Sequence, residues 1–116
     1  MLIFGCRNDH DNIYAERLDS YLDSGVLSDR EVGFSRKYDG RKVYVQHILQ
    51  EKGARVAELL RGGGSVYVCG DATYMAPAVR SAIATALETH GVAVDGTAHV
   101  NDMVKGLTYI EDCWSS

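Results

Sequence analysis

Four short β-prone runs alternate with stretches of helical spacing, and that alternation restricts the fold more than any single motif. LIFGC (2–6), REVGFS (30–35), SVYVCG (65–70) and LTYIEDCW (107–114) read as strands. The stretch 12–25 reads as a helix with Ile13, Leu18, Tyr21 and Leu22 on one side, Asp11 placed to cap its start and Gly25 to end it. Residues 43–62 read as one helix or two short ones, weakened at Gly53. The longest helix is predicted over 73–91, with Thr73 as N-cap and Pro77 in the first turn, where a missing N–H costs little. A last helix is predicted over 95–106. Strands separated by helices predict an α/β fold, a parallel sheet of about four strands wrapped by helices. At 116 residues the chain fits one domain with a modest core.

Charge and composition narrow the classes of function. Twelve basic residues against 16 acidic ones leave a net charge of −4, so the basic face that sequence-independent nucleic-acid binding needs is not expected. No apolar run approaches the ~20 residues of a membrane span, and MLIFGCRNDH lacks the basic start of a signal peptide. Three cysteines without close spacing suggest neither a disulfide framework nor a zinc site, and reducing, cytoplasmic surroundings are expected. His10, His47, His90 and His99 lack metal-ligand spacing and read as surface or helix residues.

In parallel α/β sheets ligands sit beyond the carboxyl ends of the strands. Here those ends read Gly5-Cys6-Arg7, Ser35-Arg36, Cys69-Gly70-Asp71 and Asp112-Cys113-Trp114. The second of them leads into a loop, after which Lys42 and Tyr44 stand two apart. A phosphate monoester wants such a set: a guanidinium fork, an ammonium and hydroxyl donors. An arginine after the second strand is also where a doubly wound fold accommodates the 2′-phosphate of NADP. On spacing alone a solvated loop fits equally well.

The other ends carry alternatives too. Cys69 reads equally as a buried small hydrophobe, Asp71 as a helix cap, and Arg7 as a partner of Asp9 or Asp11. Gly70 permits close approach of a ligand to the backbone. Trp114, near a polar terminus, needs a surface to cover, from this chain or from a ligand. The glycines 62–64 precede a strand rather than a helix, and so form a turn rather than a phosphate cradle.

With FGCR (4–7), FSR (34–36), KVYVQHIL (42–49), VYVCGDATYMA (66–76) and DCW (112–114) in order, the chain resembles the C-terminal NADPH-binding region of the diflavin reductases. That family includes NADPH–cytochrome P-450 reductase and the reductase half of bacterial self-sufficient fatty-acid monooxygenases, toward which MAPAV (75–79) leans. The resemblance implies that Ser35, Arg36, Lys42 and Tyr44 hold the 2′-phosphate and adenosine, with Gln46 on the same motif and Arg7 near the adenosine diphosphate. It implies that Cys69 faces the nicotinamide, that Asp112 orients it, and that Trp114 stacks on the flavin of FAD. Gly70, Asp71 and Met75 are expected at the coenzyme on the motif that carries Cys69. The implied reaction is hydride transfer from NADPH to FAD, and onward through FMN to a haem protein.

The pattern departs from the family at Ala78, where many relatives have an acid, and at Thr108, where an arginine is usual. The family's preceding strand, with its Gly-Thr-Gly phosphate turn, has no counterpart here, nor has the FAD-binding barrel. The resemblance therefore implies a Rossmann-like, ferredoxin reductase-type NADP-binding domain over 1–116 that lacks its first strand. That strand would belong between those holding Phe4 and Val68. The chain is expected to be a C-terminal fragment of a larger flavoprotein, inactive alone, with FAD- and FMN-binding domains of the parent chain as partners. The alternatives are a catalytically silent nucleotide-binding or interaction module, and the NADP-binding domain of a single-flavin ferredoxin reductase, against which DCWSS speaks.

Overall fold

The computed structural model describes residues 1–6, 15–25, 30–34 and 44–114. Its elements follow the predicted alternation: β1 (Leu2–Cys6), α1 (Ala15–Asp23), β2 (Arg30–Phe34), α2 (Val45–Glu51), α3 (Gly53–Arg61), β3 (Val66–Asp71), α4 (Met75–Thr89), α5 (Gly96–Lys105) and β4 (Tyr109–Trp114). The helical stretch at 43–62 is divided at Lys52, next to the glycine that weakens it. The chain falls into two compact units, Met1–Ile48 and Leu49–Ser116, whose boundary lies within α2.

The four strands do not join one sheet. β1 pairs with β2 and β3 with β4, both parallel, as two separate two-stranded sheets. The rest of the fold class stands, with parallel strands linked through helices.

In the first unit the register runs from Leu2 against Arg30 to Cys6 against Phe34. Gly5 lies under the start of α2, where an added Cβ would come within 3.1 Å of Val45 Cγ1. α1 ends as predicted at Gly25, which has φ +83° and donates its N–H to the Leu22 carbonyl at 3.2 Å. Tyr21, expected on the apolar side, is exposed instead, while Leu22 is half-buried.

The second unit has its own core. α4 supplies Ala76, Val79, Ala82, Ile83, Ala86 and the fully buried Leu87. α4 packs against α3, β3 and α5, which contribute Val56 and Ala57, Val68 and Val100 to the core, and Tyr109 is buried on β4, which packs on β3 and α5. The small alanines let α5 come close: an added Cβ at Gly96 would lie 2.1 Å from the Ala84 carbonyl oxygen. Asp95 caps α5 by accepting from the Ala98 N–H at 3.0 Å, and the Glu88 carboxylate accepts from the Gly96 N–H at 2.7 Å. β4 begins two residues later than predicted, because Gly106 ends α5 and Leu107 takes a positive φ of 61°.

Candidate functional site

The carboxyl end of the β3–β4 pair gathers five of the residues singled out in the sequence. Parallel register sets Cys69 beside Asp112, Gly70 beside Cys113 and Asp71 beside Trp114. Side chains alternate along each strand. Val68, Tyr109, Glu111 and Cys113 turn to the buried or half-buried side, and Tyr67, Cys69, Ile110, Asp112 and Trp114 to the exposed one. Cys69 is therefore not the buried small hydrophobe that its apolar neighbours suggest; it is an exposed free thiol next to a carboxylate.

Gly70 and Asp71 shape the turn beyond this edge. Gly70 has φ +135°, a conformation that side chains rarely adopt, and a Cβ there would lie 2.9 Å from Met75 Cε. α4 starts later than predicted, and Thr73 does not cap it. Tyr74 stands at the N-cap without a side-chain cap bond. Asp71 does the capping: its Oδ2 accepts from the Tyr74 N–H at 2.7 Å and the Met75 N–H at 3.1 Å. Those two bonds, Tyr74's first, hold the Asp71 carboxyl below its ordinary value of 3.8. The longer reach of Asp71, two residues further back, succeeds because the turn at Gly70 brings its carboxylate under the helix start.

Trp114 is held by its backbone and free at its ring. Its carbonyl accepts from the Ala72 N–H at 2.9 Å, while the side chain is 58% exposed. On the opposite face of β4 lie two residues that the sequence reading did not single out. Arg80 of α4 pairs with the Glu111 carboxylate through its Nε, and its guanidinium lies 5.6 Å from the centroid of the Tyr109 ring. Burial, then the Glu111 charge, pushes the Tyr109 phenol up to about 12, against the pull of Arg80. The only hint in the sequence is Glu111 itself, an acid on the inward phase of a strand, which needs a partner.

In the first unit, Tyr44 and Gln46 flank the start of α2, Tyr44 exposed and Gln46 half-buried. The Tyr44 N–H donates to His47 Nδ1 at 3.1 Å, and the two rings lie 5.5 Å apart and tilted by 48°. His47 thus holds the tyrosine at a helix entry, a role that its i,i+3 spacing could have indicated. Arg7, Ser35, Arg36 and Lys42 lie outside the described residues, as do His10 and residues 12–14 of the first predicted helix.

An exposed strand face bearing a thiol, a carboxylate and an indole thus lies next to a glycine turn against which Met75 packs. Among the described residues no cluster of His, Cys, Asp and Glu could hold a metal ion, and no helix is long and apolar enough to cross a membrane.

Residues 1–81 match the oxidoreductase NAD-binding domain model. The chain is 43% identical to an NADPH–cytochrome P-450 reductase of Dictyostelium discoideum over 98% of its own length and 17% of that protein's. It is 37% identical to the bifunctional cytochrome P-450/NADPH–P-450 reductase 1 of Bacillus subtilis, over 98% of its length and 11% of that protein's. To the sulfite reductase [NADPH] flavoprotein alpha-component of Vibrio parahaemolyticus it is 40% identical, over 97% and 18%. It thus spans less than a fifth of the length of each of these relatives.

Proposed function

The chain belongs to the oxidoreductase NAD-binding domain family, and on that premise we propose that it is the NADPH-binding part of a diflavin reductase of the haemoprotein-reducing type. All 116 residues form one NADP-binding domain, a C-terminal fragment of a larger cytoplasmic flavoprotein and silent on its own. FAD- and FMN-binding domains of the parent chain are its partners, and a haem protein accepts the electrons. The observation that carries this reading is the parallel register that sets Cys69 beside Asp112, with Trp114 on the same exposed face.

NADPH supplies the hydride and FAD accepts it; the protein's part is to bind, orient and shield. Cys69 and Asp112 present a polarisable thiol and a hydrogen-bond acceptor to the nicotinamide amide. Gly70, with no side chain, lets the coenzyme reach the strand end. Asp71 is occupied in capping α4 and so fixes the turn, and Met75 packs beneath it. Trp114 covers the flavin face that the nicotinamide must reach. Ser35, Arg36, Lys42, Tyr44, Gln46 and Arg7 hold the phosphates and adenosine.

Two measurements test the reading. Arg36→Ala should weaken NADP binding by roughly 1.5–3 kcal/mol, the scale of a charge-assisted bond, and leave NAD binding nearly unchanged. Equal losses in titrations with both nucleotides would remove Arg36 from the phosphate site. In a reductase carrying this sequence, Trp114→Ala should improve the use of NADH more than that of NADPH. Displacing a stacked ring costs on the order of 1 kcal/mol, which a bound 2′-phosphate offsets and NADH cannot. Steady-state kinetics that show an unchanged coenzyme preference would dismiss Trp114 as the gate.

A further inference from the structure

We infer that Arg80 is a positioning residue, which sets the carboxyl end of β4 through Glu111 and so aims Asp112 and Trp114. The inference rests on the assignment of those two residues to the coenzyme site.

β4 has a single strand neighbour, β3, among the described residues. A two-stranded parallel pair constrains a strand weakly, so contacts with the helices must help to hold its rotation and register. Tyr109 and Glu111 lie two apart on the inward side of β4, and one side chain grips both. The Arg80 guanidinium stacks near the Tyr109 ring and pairs with the Glu111 carboxylate. Gripping positions i and i+2 of one face fixes which residues occupy the other, because a slip of one residue turns every side chain over. Asp112 and Trp114 follow Glu111 by one and three positions, on that other face.

Tyr109 does not anchor itself in another way. Its hydroxyl is buried without a hydrogen-bond partner among the described residues, so the ring is held by packing and by Arg80. Arg80 is half-buried at the α4 surface and pairs with a half-buried acid. Arg80 is about as exposed as Arg55 of the Arg55–Glu58 pair, but its acid, Glu111, is 23% exposed against 68% for Glu58 and sits within one residue of the site, which makes it the better lever on geometry.

The test uses a reductase carrying this sequence, in four forms: wild type, Arg80→Ala, Glu111→Ala, and the exchange Arg80→Glu with Glu111→Arg. Three properties are followed. These are the affinity for 2′,5′-ADP, which has the 2′-phosphate but no nicotinamide; the stopped-flow rate of flavin reduction by NADPH; and the emission of Trp114 in the 116-residue chain, where it is the sole tryptophan. A shift in the reacting groups of up to an ångström costs as much as 10²-fold in rate. The single variants should therefore slow flavin reduction by about tenfold and shift Trp114 emission, with 2′,5′-ADP affinity within about twofold of wild type. The exchange should recover most of the rate, to within about threefold.

If the single variants keep the wild-type rate while Asp112→Asn loses it, the positioning role is wrong and the site stands. If Asp112→Asn keeps the rate as well, the site assignment fails and the inference with it. Equal losses of 2′,5′-ADP binding and rate, with a lowered melting temperature and no recovery in the exchange, would make Arg80 a fold fastener only and overturn the proposal.

Discussion

Tyr109 shows how far one residue's environment departs from its neighbours' in sequence. It is 2% exposed, yet its hydroxyl finds no partner among the described residues. A buried hydroxyl without a partner costs about 1–3 kcal/mol of desolvation. Tyr109→Phe removes that hydroxyl and keeps the ring, so urea denaturation should find the variant as stable as wild type, or more stable by up to ~1 kcal/mol. A loss greater than ~1 kcal/mol would reveal a hydrogen bond to the phenol. The same substitution carries a pH signature. The folded phenol is raised from 10.0 to about 12, so the unfolded chain gives up its proton first. Stability is whole below pH 10 and declines as the pH climbs toward 12. Tyr109→Phe should flatten that part of the decline.

At the level of elements, the junction of α4 and α5 is the most demanding contact in the second unit. Gly96 sits against the Ala84 carbonyl so closely that no side chain fits, and its N–H is held by Glu88. Gly96→Ala must push α5 away from α4 and disturb Val100 in the core. Overpacking of this kind costs typically ~1–3 kcal/mol, and an unfolding free energy from urea denaturation lowered by less than ~0.5 kcal/mol would show that α5 moves freely. The elements themselves were largely readable. Apolar alternation located all four strands, and Gly53 and Gly25 marked breaks where the structure has them. Of the two residues that the sequence offers as caps here, local rules favour Thr73, yet Asp71 fills the role, because the turn at Gly70 brings its carboxylate under the helix start. The exposure of Cys69 was also hidden, since an apolar run does not say which of its two faces is covered. Arg80 and Glu111 are far apart in sequence, and nothing local pairs them.

For the molecule as a whole, strand pairing was the least readable feature, because it depends on partners distant in the sequence. One outcome is an exposed sheet face in the second unit with Tyr67 at 75%, Ile110 and Trp114. Uncovered apolar side chains on a short sheet invite association. The 116-residue chain should sediment with a concentration-dependent coefficient, and Tyr67→Lys should move it toward monomer. A wild-type coefficient that does not change with concentration would count against this. The parallel pairing of β3 with β4 also has a kinetic side. Parallel strands cannot meet through a hairpin; Val66 finds Tyr109 only after α4 and α5 have been threaded between them. The helices can form and pack through near neighbours, whereas closing the strands spends the chain entropy of everything enclosed. The transition state for folding this unit should hold α4 and α5 before it holds β4. The strand that bears Asp112 and Trp114 is then the last to arrive and the first to leave.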